Sequence, residues 1–187
     1  MSSSLATPIS ITVNDTVRVS GLLQNPPHAR ACYVLAHGAG AGMNHPFMAA
    51  VAAELGRRGI GSLRYQFAYM ERRAKRPDPP QLARARVRAA VAAALKLLPE
   101  LPLIAGGKSF GGRMTSQAQA KAPLPGVCGL AFLGFPLHPG GCPSQDRAEH
   151  LFAVRIPMPQ ASGFGYGRMK SSESISERFH WVIVMFI

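Results

Sequence analysis

The run Leu103-Ile104-Ala105-Gly106-Gly107-Lys108-Ser109-Phe110-Gly111-Gly112-Arg113-Met114 constrains this chain more than any other stretch. An apolar, strand-like segment ends in a glycine pair, a serine stands between Gly107 and Gly111, and residues 114–122 can run on as a helix. Gly-x-Ser-x-Gly at a strand-to-helix turn needs glycine on both sides of the serine, because side chains there would strike the strand and helix that close on the turn. The serine then stands clear of the sheet edge. The N–H of Phe110, at the start of the helix, can stabilise the oxyanion of an acyl-transfer intermediate. Ser109 is therefore the candidate nucleophile, with Gly107 and Gly111 as the elbow glycines.

Two phosphate-binding readings of these glycines fail on spacing. A Gly-x4-Gly-Lys-Ser loop needs glycine at the position of Pro102, and a Gly-x-Gly-x-x-Gly fingerprint begun at Gly38 needs glycine where Met43 stands.

At 187 residues the chain fits one domain able to bury a real core. No apolar run reaches the ~18 residues of a membrane span, and the opening Met1-Ser2-Ser3-Ser4 lacks the basic and apolar regions of a secretory signal. The expectation is a soluble, cytoplasmic protein with no membrane partner. Three cysteines, Cys32, Cys128 and Cys142, are few and odd in number, and read as buried thiols in a reducing compartment. The formal charge of +12 raises nucleic acid as a partner, through phosphate counterion release. Its densest part holds Arg72, Arg73, Lys75 and Arg76, followed by Arg84, Arg86 and Arg88. Without aromatic interleaving or zinc spacing, these charges read instead as a solvated loop and an outer helix face, and nucleic acid is disfavoured.

Residues 9–13 and 17–23 alternate apolar and polar about Asn14-Asp15, the pattern of an antiparallel hairpin. Residues 31–36 form an apolar run suited to a strand buried on both faces, ending in His37-Gly38-Ala39-Gly40-Ala41-Gly42. An amphipathic helix over 46–58 carries Phe47, Val51 and Leu55, and a strand follows over 60–67. Residues 68–80 read as a basic, proline-bearing loop. A helix over 81–98 stripes Val87, Val91, Leu95 and Leu98, and residues 103–106 and 127–133 are further strands. Alternating strands and helices imply a mostly parallel sheet with helices on both faces, its ligands bound at the carboxyl ends of the strands. Residues 38–42, 67–70, Ser109 and 135–141 all fall on that rim.

Residues 35–43 with Pro46-Phe47-Met48, residues 106–113 and the run Gly134-Phe135-Pro136-Leu137-His138-Pro139 together resemble a small α/β-hydrolase group over about 31–158. It is the dienelactone-hydrolase-like group that includes the testis-expressed hydrolase-like protein and the hydrolase domain of an NSL histone-acetylation complex subunit. The resemblance implies an α/β-hydrolase fold and a Ser…Asp…His triad in chain order, acting on a small-molecule acyl substrate with no metal and no cofactor. It assigns the nucleophile to Ser109 and the oxyanion-hole N–H groups to Phe110 and Ala39. His37 matches the loop histidine, structural rather than basic because it precedes the serine. His37 and His138 are also the candidate substrate-rim residues.

After Met158 the chain departs from that pattern. The group would continue into a strand, a Gln-Gly-x-x-Asp segment carrying the acid, and a last loop carrying the base, whereas this chain reads Pro159-Gln160-Ala161-Ser162-Gly163 and onward. Asp15, Asp78 and Asp146 all stand elsewhere, and Glu173, Glu177 and His180 lie in a polar segment without periodicity. The expectation is a hydrolase domain over 1–158 and an aberrant tail over 159–187, replacing the last two strands. The apolar 181–187 could patch the edge so exposed. The catalytic acid and base stay unassigned, and the reading is a serine hydrolase impaired by their loss. Its alternative is a non-catalytic hydrolase-fold protein that binds a protein partner through the basic region between Arg72 and Arg88.

Overall fold

The computed structural model describes residues 5–135 and 149–156, and the backbone of 158–159 and 166–167. Two antiparallel strands open it, β1 (Thr7–Thr12) and β2 (Arg18–Gln24). Between them Asn14 Oδ1 accepts the N–H groups of Thr16 and Val17, the bond that makes asparagine a turn former. There follow β3 (Ala31–Ala36), α1 (Pro46–Arg57), β4 (Ile60–Tyr65), α2 (Ala68–Glu71), α3 (Pro80–Leu97), β5 (Leu103–Lys108), α4 (Phe110–Lys121) and β6 (Val127–Leu133). The sheet order is β1-β2-β4-β3-β5-β6, with β4, β3, β5 and β6 parallel and the hairpin antiparallel at one edge.

Alternation along β3 divides the core in two. Cys32, Val34 and Ala36 pack with Val87, Val91 and Met114 on the face covered by α3 and α4, whereas Tyr33 and Leu35 pack with Met48, Val51 and Leu55 of α1 on the other. Burying each such aliphatic side chain contributes about 1.5–3 kcal/mol. Alanine carries much of the inner face of α3, where Ala83, Ala90 and Ala94 are fully buried. Leu95 and Leu98, on the anticipated stripe, are only half-buried.

Helix α4 begins at Phe110, directly after the serine as expected, with Gly111 and Gly112 drawn into its first turn by close packing on β3 and β5. Three sequence expectations need correction. The stretch 68–80 is not all loop, because α2 forms its first turn. Cys128 is exposed rather than buried: the β5–β6 register slips between Leu103 and Ile104, leaving Cys128 as the extra residue of a bulge, its Sγ on the Leu103 carbonyl. The arginines of α3 do not form an outer face. Arg86 is buried, Arg84 donates to Gln117, and Arg88 donates to the carbonyls of Ala118 and Ala122 at 2.6 Å, capping the end of α4. Only Arg72, Arg73, Lys75 and Arg76 of that basic region are exposed.

A second sheet pairs β7 (Met158–Pro159) antiparallel with β8 (Tyr166–Gly167), and among the described residues no strand extends the main sheet beyond β6. The expectations placed on His138, Cys142, Asp146, Glu173, Glu177, His180 and the apolar 181–187 lie outside the described residues.

Candidate active site

The elbow is built by contact distances. A Cβ on Gly107 (φ +151°) would lie 2.1 Å from the carbonyl oxygen of Ala36, and one on Gly111 would lie 2.6 Å from the carbonyl oxygens of both Ala36 and His37. No side chain fits at either position, so β3 closes directly on the turn. Ser109 sits between them at φ 49° and ψ −108°, a positive φ that costs a non-glycine residue about 1–3 kcal/mol. Two backbone bonds hold it there: Ser109 N–H donates to Gly134 at 2.8 Å, and Ser109 C=O accepts from Arg113 at 3.0 Å. The serine is half-buried and reachable. Phe110, first residue of α4, has no intrahelical acceptor for its N–H.

The loop after β3 faces the elbow and is held differently, by residues at the end of β4 and in α2. Phe67 N–H donates to His37 Nε2 at 3.2 Å, so the imidazole proton is on Nδ1 and is donated to Gly38 C=O at 2.7 Å. Burial pushes the His37 pKa down, favouring the neutral ring that this pattern needs. Gly40 N–H donates to the Tyr69 hydroxyl at 2.9 Å, and Met43 N–H to Gln66 Oε1 at 2.8 Å. Arg64 donates to Met43 C=O at 3.2 Å.

Ala39, Ser109 and Phe110 together line an open cleft of ≈ 460 Å³. Its other wall is Pro77, Asp78, Pro79 and Pro80, with Arg113 beside them. Asp78 is buried, and its carboxylate accepts Tyr69 N–H at 3.0 Å and Arg72 Nη2 at 2.8 Å.

Ser109, Phe110 and Ala39 thus meet at one cleft, with Gly107 and Gly111 beneath the serine. His37 does not reach the substrate rim assigned to it: its side chain has no exposed surface and both ring nitrogens are engaged. Among the described residues no histidine hydrogen-bonds Ser109. His45 accepts Phe47 N–H at the start of α1, and His150 meets Ser116 Oγ at 2.7 Å. Burial, with Arg113 and Arg84 nearby, lowers the His150 pKa to about 4. His138 lies outside the described residues, so the acid and base stay unassigned. Sequence reasoning missed Asp78 and Arg113 as cleft residues, and it placed residues 67–70 at the rim without foreseeing the bond of the buried Tyr69 to Gly40; the signal for Asp78 was an aspartate set between prolines. Among the described residues no three His, Cys, Asp or Glu side chains converge as a metal site would require, and no helix is long and apolar enough to cross a membrane.

Solved structures share this architecture. A dienelactone hydrolase from Anabaena variabilis superposes with TM-score 0.69 at 20% identity, over 84% of this chain and 72% of its own. A serine hydrolase without lid from Xanthomonas campestris gives TM-score 0.58 at 17% identity, over 75% of this chain and 65% of its own. Est1E from Butyrivibrio proteoclasticus gives 0.54 at 20% identity, over 66% of this chain and 49% of its own. No curated protein sequence matches, so the narrower likeness to the testis-expressed and NSL-subunit proteins rests on the sequence motifs alone. The model of a family described as alpha/beta hydrolase domain matches residues 29–167, from the approach to β3 through the elbow to β8. With the elbow, the facing loop and the four parallel strands all in that region, this chain belongs to the alpha/beta hydrolase family.

Proposed function

We propose that the chain is a serine hydrolase lineage member acting on ester, thioester or related acyl bonds of small molecules, with Ser109 as nucleophile. The observation that carries this is Ser109 itself, held at φ 49° in a turn where neighbouring glycines admit no Cβ, and facing a cleft that Ala39 and Phe110 also line. A strained, half-exposed serine has no packing role that would offset its backbone cost.

The chemistry follows from that arrangement. Ser109 Oγ adds to the substrate carbonyl while its proton passes to a base, and the carbonyl π pair moves onto oxygen. The N–H groups of Ala39 and Phe110 receive that oxyanion. Collapse expels the alcohol or thiol, which takes up the proton, and water then releases the acyl group from Ser109 by the same steps. Removing a triad member typically leaves about 10³ to 10⁴ over water, from the oxyanion hole and binding alone. Without the Gln-Gly-x-x-Asp segment after Met158 that the resemblance leads one to expect, this chain is expected to be a slow enzyme.

Labelling of the purified chain with a fluorophosphonate probe, beside Ser109→Ala, tests the reading. Labelling that vanishes in the variant is expected. A soluble, folded chain that takes no label overturns it.

A further inference from the structure

We propose that Tyr69 and Asp78 are positioning residues for the oxyanion-binding loop, a role resting on the hydrolase reading above: the Tyr69 hydroxyl sets the place of Ala39 through Gly40, and Asp78 sets the place of Tyr69. Gly40 is the loop residue next to Ala39, at φ +73°, and a Cβ built on it would meet nothing within 4 Å. Packing therefore does not define the loop at this point. The hydrogen bond from Gly40 N–H to the Tyr69 hydroxyl, 2.9 Å, does so instead.

The hydroxyl can do this only if its ring is immobile. The ring is fully buried, its centroid 6.4 Å from that of Phe110 in an edge-on arrangement and 6.2 Å from that of the His37 ring, so it lies between the residue that carries the second oxyanion donor and the residue that opens the loop. Its backbone belongs to α2, a four-residue helix too short to hold its own register. Asp78 supplies that register, accepting Tyr69 N–H at one oxygen and Arg72 at the other. A carboxylate with 1% of its side chain exposed is costly unless bonded at both oxygens, and both are bonded here. Asp78 is also a wall of the cleft itself. It acts through α2 and the loop rather than on substrate, and no described histidine approaches it as a triad base would.

The test compares hydrolysis of p-nitrophenyl acetate by the full chain and its variants. Tyr69→Phe removes one oxygen and keeps the ring. It is expected to lower kcat roughly 10- to 100-fold, as displacement of an oxyanion donor does, with KM within about 2-fold. Amide exchange at Gly40 should quicken in parallel. Asp78→Ala should lower kcat at least as much, and Asp78→Asn, which keeps one acceptor oxygen for Tyr69 N–H, should restore part of it. Arg88→Met, which removes the cap of α4 far from the loop, should lower the melting temperature while leaving kcat in place. An active chain in which Tyr69→Phe keeps its kcat, or loses it only as Arg88→Met does, overturns the positioning role and leaves the hydrolase reading standing. A parent chain that neither hydrolyses the ester nor labels at Ser109 overturns both.

Discussion

The two loops that meet at the cleft are held by different physics. At the elbow, Gly107 and Gly111 bring backbone against backbone, with the Ala36 carbonyl so near that any Cβ would collide. Across the cleft, the loop after β3 is held by bonds to the imidazole of His37, the amide of Gln66, the hydroxyl of Tyr69 and the guanidinium of Arg64. Steric exclusion makes the first all-or-none. Polar bonds make the second adjustable, since each is worth only about 0.5–1.5 kcal/mol net and can be removed singly.

Breaking the steric side should have the largest effect. Gly107→Ala is expected to cost about 3 kcal/mol or more, read by urea unfolding, because neither β3 nor β5 can yield without separating. Acid should come next, acting on the loop through His37 and, apart from it, on the contact of His150 with Ser116 of α4. His37 and His150 have folded pKa values below the usual 6.5, that of His150 at about 4, so the unfolded chain takes up protons first as pH falls. Stability is then complete above about 6.5 and declines as pH falls towards about 4. Melting temperatures across that range should show the decline, His150→Gln should flatten part of it, and amide exchange should quicken in the His37 loop before the elbow.

Third in size is Gln66→Leu, which strands Met43 N–H and is expected to cost about 1–2 kcal/mol. Exchange should quicken at Met43 with the elbow amides unchanged; equal loosening of both loops would erase the distinction. The smallest effect has the opposite sign. Ser109→Gly relieves a positive φ and should stabilise the fold by about 1 kcal/mol, partly offset by glycine's freedom in the unfolded chain, while abolishing any labelling.

Most of the fold was legible in the chain because its periodicities are strong. The runs at 31–36 and 127–133 are apolar enough to be buried strands, the strand expected over 60–67 forms over Ile60–Tyr65, and Asn14 marks its turn by a bond within its own neighbourhood. What escaped depended on distant partners. The arginines of α3 read as a solvated face because nothing local says that the last carbonyls of α4 lie within reach of Arg88. Cys128 read as buried because a strand pattern does not display a one-residue slip against β5.

The same division runs through the site. Gly-x-Ser-x-Gly is readable because the collisions that require glycine arise between residues a few positions apart and the strand beside them, in any chain that makes this turn. Local sequence thus determined the strained seat of Ser109 and the strand-end loops around it. Tertiary structure alone decided that His37 is buried rather than on the rim, and that Asp78, far from the position expected of a catalytic acid, forms a wall of the cleft and the support of Tyr69. The physical reason is that a polar side chain's role is set by which donor or acceptor folding brings within about 3 Å of it, and sequence spacing does not encode that distance.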